Sequence, residues 1–242
     1  MIALLLAAFV AAKTPTVPPP ATLNIVHHKV KRHATAGYQT TEASIVSAYE
    51  RAKIPLYWMT FQSTKDPRDV VYFNLFDSPD DLKRATDNYR SLSPAHPELA
   101  RLSSRLSSML DAQDSVLTTR RDEVAYTRTD VDFSTMRALM LATFRVKAGH
   151  EGQFIDALRR AGGSGAPWVV YESTADPTFA LVWPLRSKSE ARSASIPRPL
   201  RELRRTYLRT DVAVYTLSSS MSRMPVEYFA KARNAAPKPK AH

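Results

Sequence analysis

Phe61-Gln62-Ser63-Thr64-Lys65-Asp66-Pro67 and Tyr171-Glu172-Ser173-Thr174-Ala175-Asp176-Pro177 are two versions of one heptapeptide. They stand 110 residues apart, and five of seven positions are identical or aromatic for aromatic. The Ser-Thr-x-Asp-Pro run predicts a turn, because Asp supplies local hydrogen bonds and Pro fixes φ. A repeat at this spacing predicts that one structural unit occurs twice in the chain.

The surroundings of the heptapeptide repeat as well. Each copy follows a Pro and an aromatic-rich run, IPLYWMT at 54–60 and APWVV at 166–170. Each precedes a second apolar run, VVYFNLF at 70–76 and FALVWPL at 179–185. A helix start comes next. Ser78-Pro79-Asp80-Asp81 offers a Ser cap, Pro at the first helical position and acids near the positive helix end. Ser187-Lys188-Ser189-Glu190 is a capping-box pattern. Upstream, LNIVHHKVK (23–31) and RALMLATFRVK (137–147) read as strands that end in Val-Lys and lead through Gly37 or Gly149 into a helix. Ile45, Ala48, Tyr49 and Ala52 fall on one face of the first helix; Phe154, Ala157, Leu158 and Ala161 do so in the second. DEVAYTR (122–128) and DVAVYTL (211–217) read as closing strands. Copy one carries an added long helix with Leu99, Leu102, Leu106, Met109 and Val116.

Each copy therefore reads β-α-β-β-α-β. The fold class is α+β: two tandem ferredoxin-like repeats with antiparallel sheets, helices on the outer faces, and the bare sheet faces packed together as a pseudo-dimeric α/β barrel. The expected organisation is a signal peptide at 1–12, a Pro-rich linker at 13–22, the first repeat with its extra helix at 23–130, the second repeat at 134–218, and a basic tail at 219–242 containing Pro and Lys.

The N-terminal run Ile2–Ala12 has 11 apolar residues. It is too short for a bilayer span of about 20 and has the length of a signal-peptide core, with Val10 and Ala12 at a suitable cleavage site. A secreted or periplasmic location is the expectation. The 242 residues contain no Cys, which excludes disulfides, thiolate metal sites and Cys nucleophiles. The net charge of +11 favours anionic partners without specifying one.

The repeated unit, with Val146-Lys147-Ala148-Gly149-His150-Glu151 and then Phe154 opening a helix, resembles the dimeric α/β-barrel superfamily of ferredoxin-like proteins. That superfamily includes antibiotic-biosynthesis monooxygenase-like, NIPSNAP-like and haem-handling proteins. The resemblance covers about residues 23–218 and implies a tandem member that mimics a dimer within one chain. It decides little about function, because the fold hosts many activities.

Candidate site residues follow from strand parity. Aligning Val30-Lys31 with Val146-Lys147 sets His28 opposite Phe144 and His27 opposite Thr143. Val26, His28 and Val30 then face the helices, while Ile25 and His27 face the interior. His27 is the candidate pocket acid/base or haem ligand. Trp58, Gln62, Tyr72, Asn74 and Glu172 are the other expected lining residues of an interior pocket. Arg198, Arg201 and Arg205 form the basic stripe of an amphipathic helix at Pro197–Arg209, suited to weak contact with an anionic surface.

No H-E-x-x-H, Walker or dinucleotide motif occurs, and Gly162-Gly163-Ser164-Gly165 does not make G-x-S-x-G. No metal and no cofactor is expected, with haem as an alternative. The third strand lacks the glycine of an RNA-binding sheet, so specific nucleic-acid binding is not expected. The leading expectation is an exported, non-catalytic module that holds a small apolar ligand between two sheets, as a monomer or homodimer. The alternatives are a cofactor-independent monooxygenase-like or haem-handling enzyme, and an envelope-surface protein using the basic helix.

Overall fold

The computed structural model describes residues 18–124, 131–161, 168–187, 189–190, 198, 201 and 207–224. Eight strands form a closed barrel. They are β1 (Thr22–Val30), β2 (Trp58–Ser63), β3 (Asp69–Phe76), β4 (Leu110–Arg120), β5 (Ala138–Val146), β6 (Val169–Ser173), β7 (Thr178–Leu185) and β8 (Tyr207–Leu217). Outside lie α1 (Thr35–Arg51), α2 (Pro79–Leu92), α3 (Pro97–Ser108) and α4 (Glu151–Ala161). The order around the barrel is β1-β3-β2-β8-β5-β7-β6-β4. The first four strands thus lie in the order β4-β1-β3-β2, and the last four lie in the corresponding order β8-β5-β7-β6.

The two sheets join edge to edge, β2 to β8 and β4 to β6, so the barrel closes within one chain. The heptapeptides form these seams. Thr64 N–H donates to the Val214 carbonyl (2.9 Å), and Thr174 N–H donates to the Leu117 carbonyl (3.0 Å). Behind each threonine, Ser63 Oγ accepts from the N–H groups of Lys65 and Asp66, and Ser173 Oγ accepts from those of Ala175 and Asp176. The repeated sequence is therefore a turn, as its residues predict, and each copy clips one half of the barrel to the last strand of the other. Closure leaves no free sheet edge.

Alternation places two layers. Leu23, Ile25, Met59, Phe61, Val71, Phe73, Leu139, Leu141, Val169, Tyr171, Ala180, Val182 and Tyr215 point inward as one buried cluster. Phe133, Met136 and Met224 belong to the same cluster and close one end. The alternate residues face helices: Val30, Trp58, Val70 and Tyr72 meet α1, while Ala142, Phe144, Phe179 and Leu181 meet α4. Local signals set the helix starts. Ser78 Oγ accepts from Asp81 N–H at 3.1 Å with Pro79 first in α2. Glu190 N–H donates to Ser187 Oγ (3.4 Å), half of the expected capping box, while the Glu190 carboxylate accepts from Arg186 N–H (2.7 Å); residues 191–197 lie outside the described residues. Gly149 turns the chain before α4 at φ +81°, a left-handed conformation that a Cβ disfavours.

One element departs from the sequence reading. The added helix ends at Ser108, and Leu110–Arg120 is β4, so Val116 sits in a strand. The apolar spacing continues at helical intervals, but β1 needs a partner on its second edge, and β4 pairs with it over its whole length. Tertiary pairing overrides local periodicity here. Of the expected closing strand at 122–128, Asp122–Val124 form a turn and 125–128 lie outside the described residues. The predicted basic helix at 197–209 gives way to β8 at Tyr207. Arg198 and Arg201 are helical and exposed, and Arg205 lies outside the described residues.

Candidate active site at one mouth of the barrel

Every neighbouring pair of strands is antiparallel. β1, β2, β5 and β6 therefore end at the same mouth where β3, β4, β7 and β8 begin. Inward-facing residues become polar there. His27 follows Leu23 and Ile25 on the inner face of β1, as parity predicts. It pairs across the ladder with Val71 and Asp114. Its Nε2 is bonded to Asp69 Oδ1, and its Nδ1 lies 3.8 Å from Asp114 Oδ1. With 39% of its side chain exposed, His27 is open to solutes. The Asp69 hydrogen bond raises its pKa above 6.5 against the opposing effect of burial, with smaller help from the charges of Asp69 and Asp114.

Tyr215 comes from the other half of the chain, paired with Ser63 at the end of β2. It is 5% exposed. Burial first, and then the charges of Asp69, Asp211 and Asp114, push its hydroxyl well above the usual phenol value. It stays protonated and can donate. Sequence reasoning finds His27 but misses Asp69, Asp114, Asp211 and Tyr215. Reading β4 as helix hides Asp114. Asp211 and Tyr215 are legible in the alternation of 211, 213, 215 and 217 along a segment that the sequence already marks as a strand.

The strand pairings also show what the second half carries at the same level. His27 pairs with Val71 and Asp114, whereas Thr143 pairs with Ala180 and Asp211. Lys29 opposes Asp69, whereas Arg145 opposes Thr178. Ser63 opposes Tyr215, whereas Ser173 opposes Thr118. The second half of the barrel is thus paired with threonines at three of these places.

The remaining expected lining residues face away from the interior. Trp58 and Tyr72 belong to the cluster beneath α1. Gln62 accepts from Gln39 of α1 (3.3 Å) and donates to the Pro67 carbonyl (2.6 Å). Asn74 donates to the Asn24 carbonyl (3.2 Å), and Glu172 pairs with Arg121. The correction is one of parity. The inner residues of β2 are Met59, Phe61 and Ser63, and those of β3 are Asp69, Val71 and Phe73, so the even positions lie outside. The space expected to hold a small apolar ligand is filled by inner-layer side chains such as Phe61, Phe73 and Tyr171, each fully buried.

A second polar group lies on the opposite face of β1. His28 Nδ1 and the Tyr38 hydroxyl are 2.8 Å apart, Tyr38 bonds Tyr72, and the Tyr72 hydroxyl donates to Glu42 Oε1 (2.7 Å). All four are buried. Burial lowers His28 to about 4 and raises Glu42 to about 7.

Haem, which the superfamily resemblance implies, does not fit these residues. His27 is bonded to Asp69 through Nε2 and has only Nδ1 left, with the Asp114 carboxylate 3.8 Å away, and His28 is enclosed by the rings of Tyr38 and Tyr72. The helix-facing layer of the second half is apolar and solid with Phe144, Phe154, Phe179, Trp168 and Trp183. Among the described residues no three His, Asp or Glu converge to hold a metal ion.

No protein-family model and no curated sequence matches the chain. Solved structures do. A candidate monooxygenase of Fusobacterium nucleatum superposes with a TM-score of 0.56 at 8% identity, covering 83% of this chain and 94% of that one. A chlorite dismutase mutant of Candidatus Nitrospira defluvii gives 0.54 at 9% identity, covering 90% and 98%. An anthrone oxidase-like protein gives 0.51 at 10% identity, covering 82% and 92%. At these identities the likeness is one of fold, and it agrees with the closed eight-stranded barrel: the chain has the dimeric α/β-barrel fold.

Proposed function

We propose that this chain is an enzyme that removes a proton from a weakly acidic C–H or O–H group of a small organic substrate at the barrel mouth, with dioxygen as the electron acceptor. The observation that carries the reading is His27, held through Nε2 by Asp69 while Nδ1, 3.8 Å from Asp114 Oδ1, makes no hydrogen bond among the described residues. A base oriented by a carboxylate on its far nitrogen is the arrangement that proton abstraction needs. Neutral His27 donates from Nε2 to Asp69 and offers the Nδ1 lone pair. The substrate's bond to hydrogen breaks, the proton goes to Nδ1, and the electron pair stays on the substrate; at a CH2 carbon that pair forms a C–O bond with dioxygen, Nδ1 returns the proton to the peroxide, and loss of water leaves a carbonyl, with one oxygen atom in the product and the other in water. Asp69 and Asp114 favour the imidazolium so formed. The Tyr215 hydroxyl stands ready to donate to a substrate oxygen that gains charge. Neighbours of this fold bear the names monooxygenase and anthrone oxidase-like, which supports dioxygen as the oxidant.

Oxygen uptake with anthrone as probe tests this. The wild type consumes oxygen above the spontaneous rate, and His27→Ala lowers the catalysed rate by about 10²-fold or more. Equal rates in both proteins overturn the proposal.

The two halves, sharing strand order and seam turns, are read as tandem ferredoxin-like repeats, and the single-chain barrel as a monomer. Native mass spectrometry showing only dimers would refute the monomer. Export rests on Ile2–Ala12, which lies outside the described residues. Intact mass of protein recovered from the periplasm or medium tests it, and retention of residues 1–12 refutes cleavage. Among the described residues no helix is long and apolar enough to cross a membrane.

A further inference from the structure

A groove of about 630 Å³ runs between α1 and α3, on the opposite side of α1 from the buried tyrosines. One wall is Thr40, Ala43, Ser44, Ser47 and Arg51 of α1; the other is Glu98, Arg101, Leu102 and Arg105 of α3. Its charge is one-sided, with three guanidinium groups against one carboxylate. Many arginines elsewhere sit against an acid: Arg68 on Asp66, Arg84 on Asp81, Arg120 on Asp122, Arg159 on Asp156 and Arg209 on Asp211. Arg51, Arg101 and Arg105 make no ion pair among the described residues, and all three are exposed. Arg51 and Arg105 lie in the last turns of their helices, where the dipole favours a cation. That does not account for Arg101, which shares a face with Arg105 at an i, i+4 spacing that repels like charges.

The opposite wall leaves room for these long side chains. Thr40, Ser44 and Ser47 turn their hydroxyl protons onto the Ala36, Thr40 and Ala43 carbonyls, so apart from Arg51 at its end this wall is short, polar and uncharged. Leu102 and Ala43 provide an apolar floor. A space of this size suits a small molecule, and planar guanidinium forks suit phosphate or carboxylate oxygens.

We infer that the α1–α3 groove binds an organic dianion, its charged end held by Arg101 and Arg105 and its apolar part on Leu102. The site is separate from the barrel mouth and independent of the reaction proposed there. Calorimetric titration with phenyl phosphate at low salt tests it, with phosphatidylglycerol vesicles as a parallel arm to separate a soluble ligand from a lipid headgroup. Saturable binding of phenyl phosphate is expected, weakened at least tenfold by Arg101→Gln and by Arg105→Gln. Arg160→Gln, an exposed arginine of α4, should leave it unchanged. Absence of saturable binding overturns the inference. So does equal weakening by Arg160→Gln, which would show unspecific attraction to a basic protein. Binding to vesicles alone also overturns it, in favour of a lipid surface.

Discussion

Glu42 is a carboxyl group 3% exposed beneath α1, hydrogen-bonded to Tyr72. The buried groups that face it are Tyr72 from β3, Tyr38 from its own helix and, through them, His28 from β1; Tyr49 lies within electrostatic reach. None supplies a cation at neutral pH, since His28 is held neutral by a pKa of about 4. Desolvation therefore dominates and raises Glu42 from 4.5 to about 7, against the Tyr72 hydrogen bond, which lowers it. The folded-state pKa lies above the unfolded one, so the folded state binds the proton more tightly. The associated stability is fully present below pH 4.5 and is lost as pH rises through about 7. The whole interval corresponds to about 3 kcal/mol, most of it falling between pH 5 and pH 8. Glu42→Gln keeps the shape and an acceptor for Tyr72 but cannot ionise. Urea unfolding of both proteins at pH 5 and pH 8 gives four free energies. Wild type minus variant should fall by about 2–3 kcal/mol between the two pH values, and titrations common to both proteins cancel. A difference that does not change with pH would refute the reasoning. A change of the opposite sign would show that Glu42 is ionised in the folded state and held by a cation.

Three further expectations follow from particular contacts. Asp69→Asn should lower the His27 pKa measured by NMR titration, and Asp114→Asn should lower it less, because the Asp69 hydrogen bond is the larger cause; equal effects would contradict the assignment. Ser63→Ala and Ser173→Ala should each cost about 1–2 kcal/mol in urea unfolding, and their effects should add because the seams lie in different strand pairs; a neutral variant would mean that its turn does not hold the seam. Phe61→Ala removes a fully buried ring from the inner layer and should destabilise by about 3–5 kcal/mol, whereas a loss below about 1 kcal/mol would indicate a loosely filled barrel.

The barrel is legible in the sequence through its repeat, because a turn motif that must meet the same partner twice keeps the same residues. Parity along β1 is legible for the same reason: Val30 and Val146 hold one place in two strands, so the residues alone match His27 with Thr143. Parity along β2 and β3 is not. Their burial patterns are nearly continuous, with Trp58 to Phe61 and Val70 to Phe73 all buried. A strand covered by a helix layer on one face and an inner layer on the other has no polar side to mark its register. The sequence pattern therefore puts Trp58 and Tyr72 on the wrong face. β4 fails for the opposite reason. Its residues Asp111 to Ser115 are exposed, so little hydrophobic alternation distinguishes it from the end of α3, and only the vacant edge of β1 requires a strand.

The two halves together separate what the fold needs from what it does not. Both need apolar inner residues and a seam turn, and both have them. Only the first half carries His28, Tyr38, Glu42 and Tyr72 beneath its helix, where the second half is apolar with Phe144, Phe154 and Phe179. Only one side of the mouth carries His27, Asp69 and Tyr215, where the other has Thr143, Thr178 and Thr118. Buried or crowded polar groups cost stability unless each finds a partner, and the second half shows that the same barrel closes without them. The polar set around β1 is thus an addition to the scaffold. Tyr215 reaches the mouth from the last strand, across the β2–β8 seam, so the proposed site is complete only when both halves are closed into one barrel. Loosening that seam by Ser63→Ala should then reduce proton transfer at His27 as well as stability, while Ser173→Ala, at the seam remote from Tyr215, should reduce stability alone. Equal effects of the two variants on catalysis would place the chemistry outside this mouth.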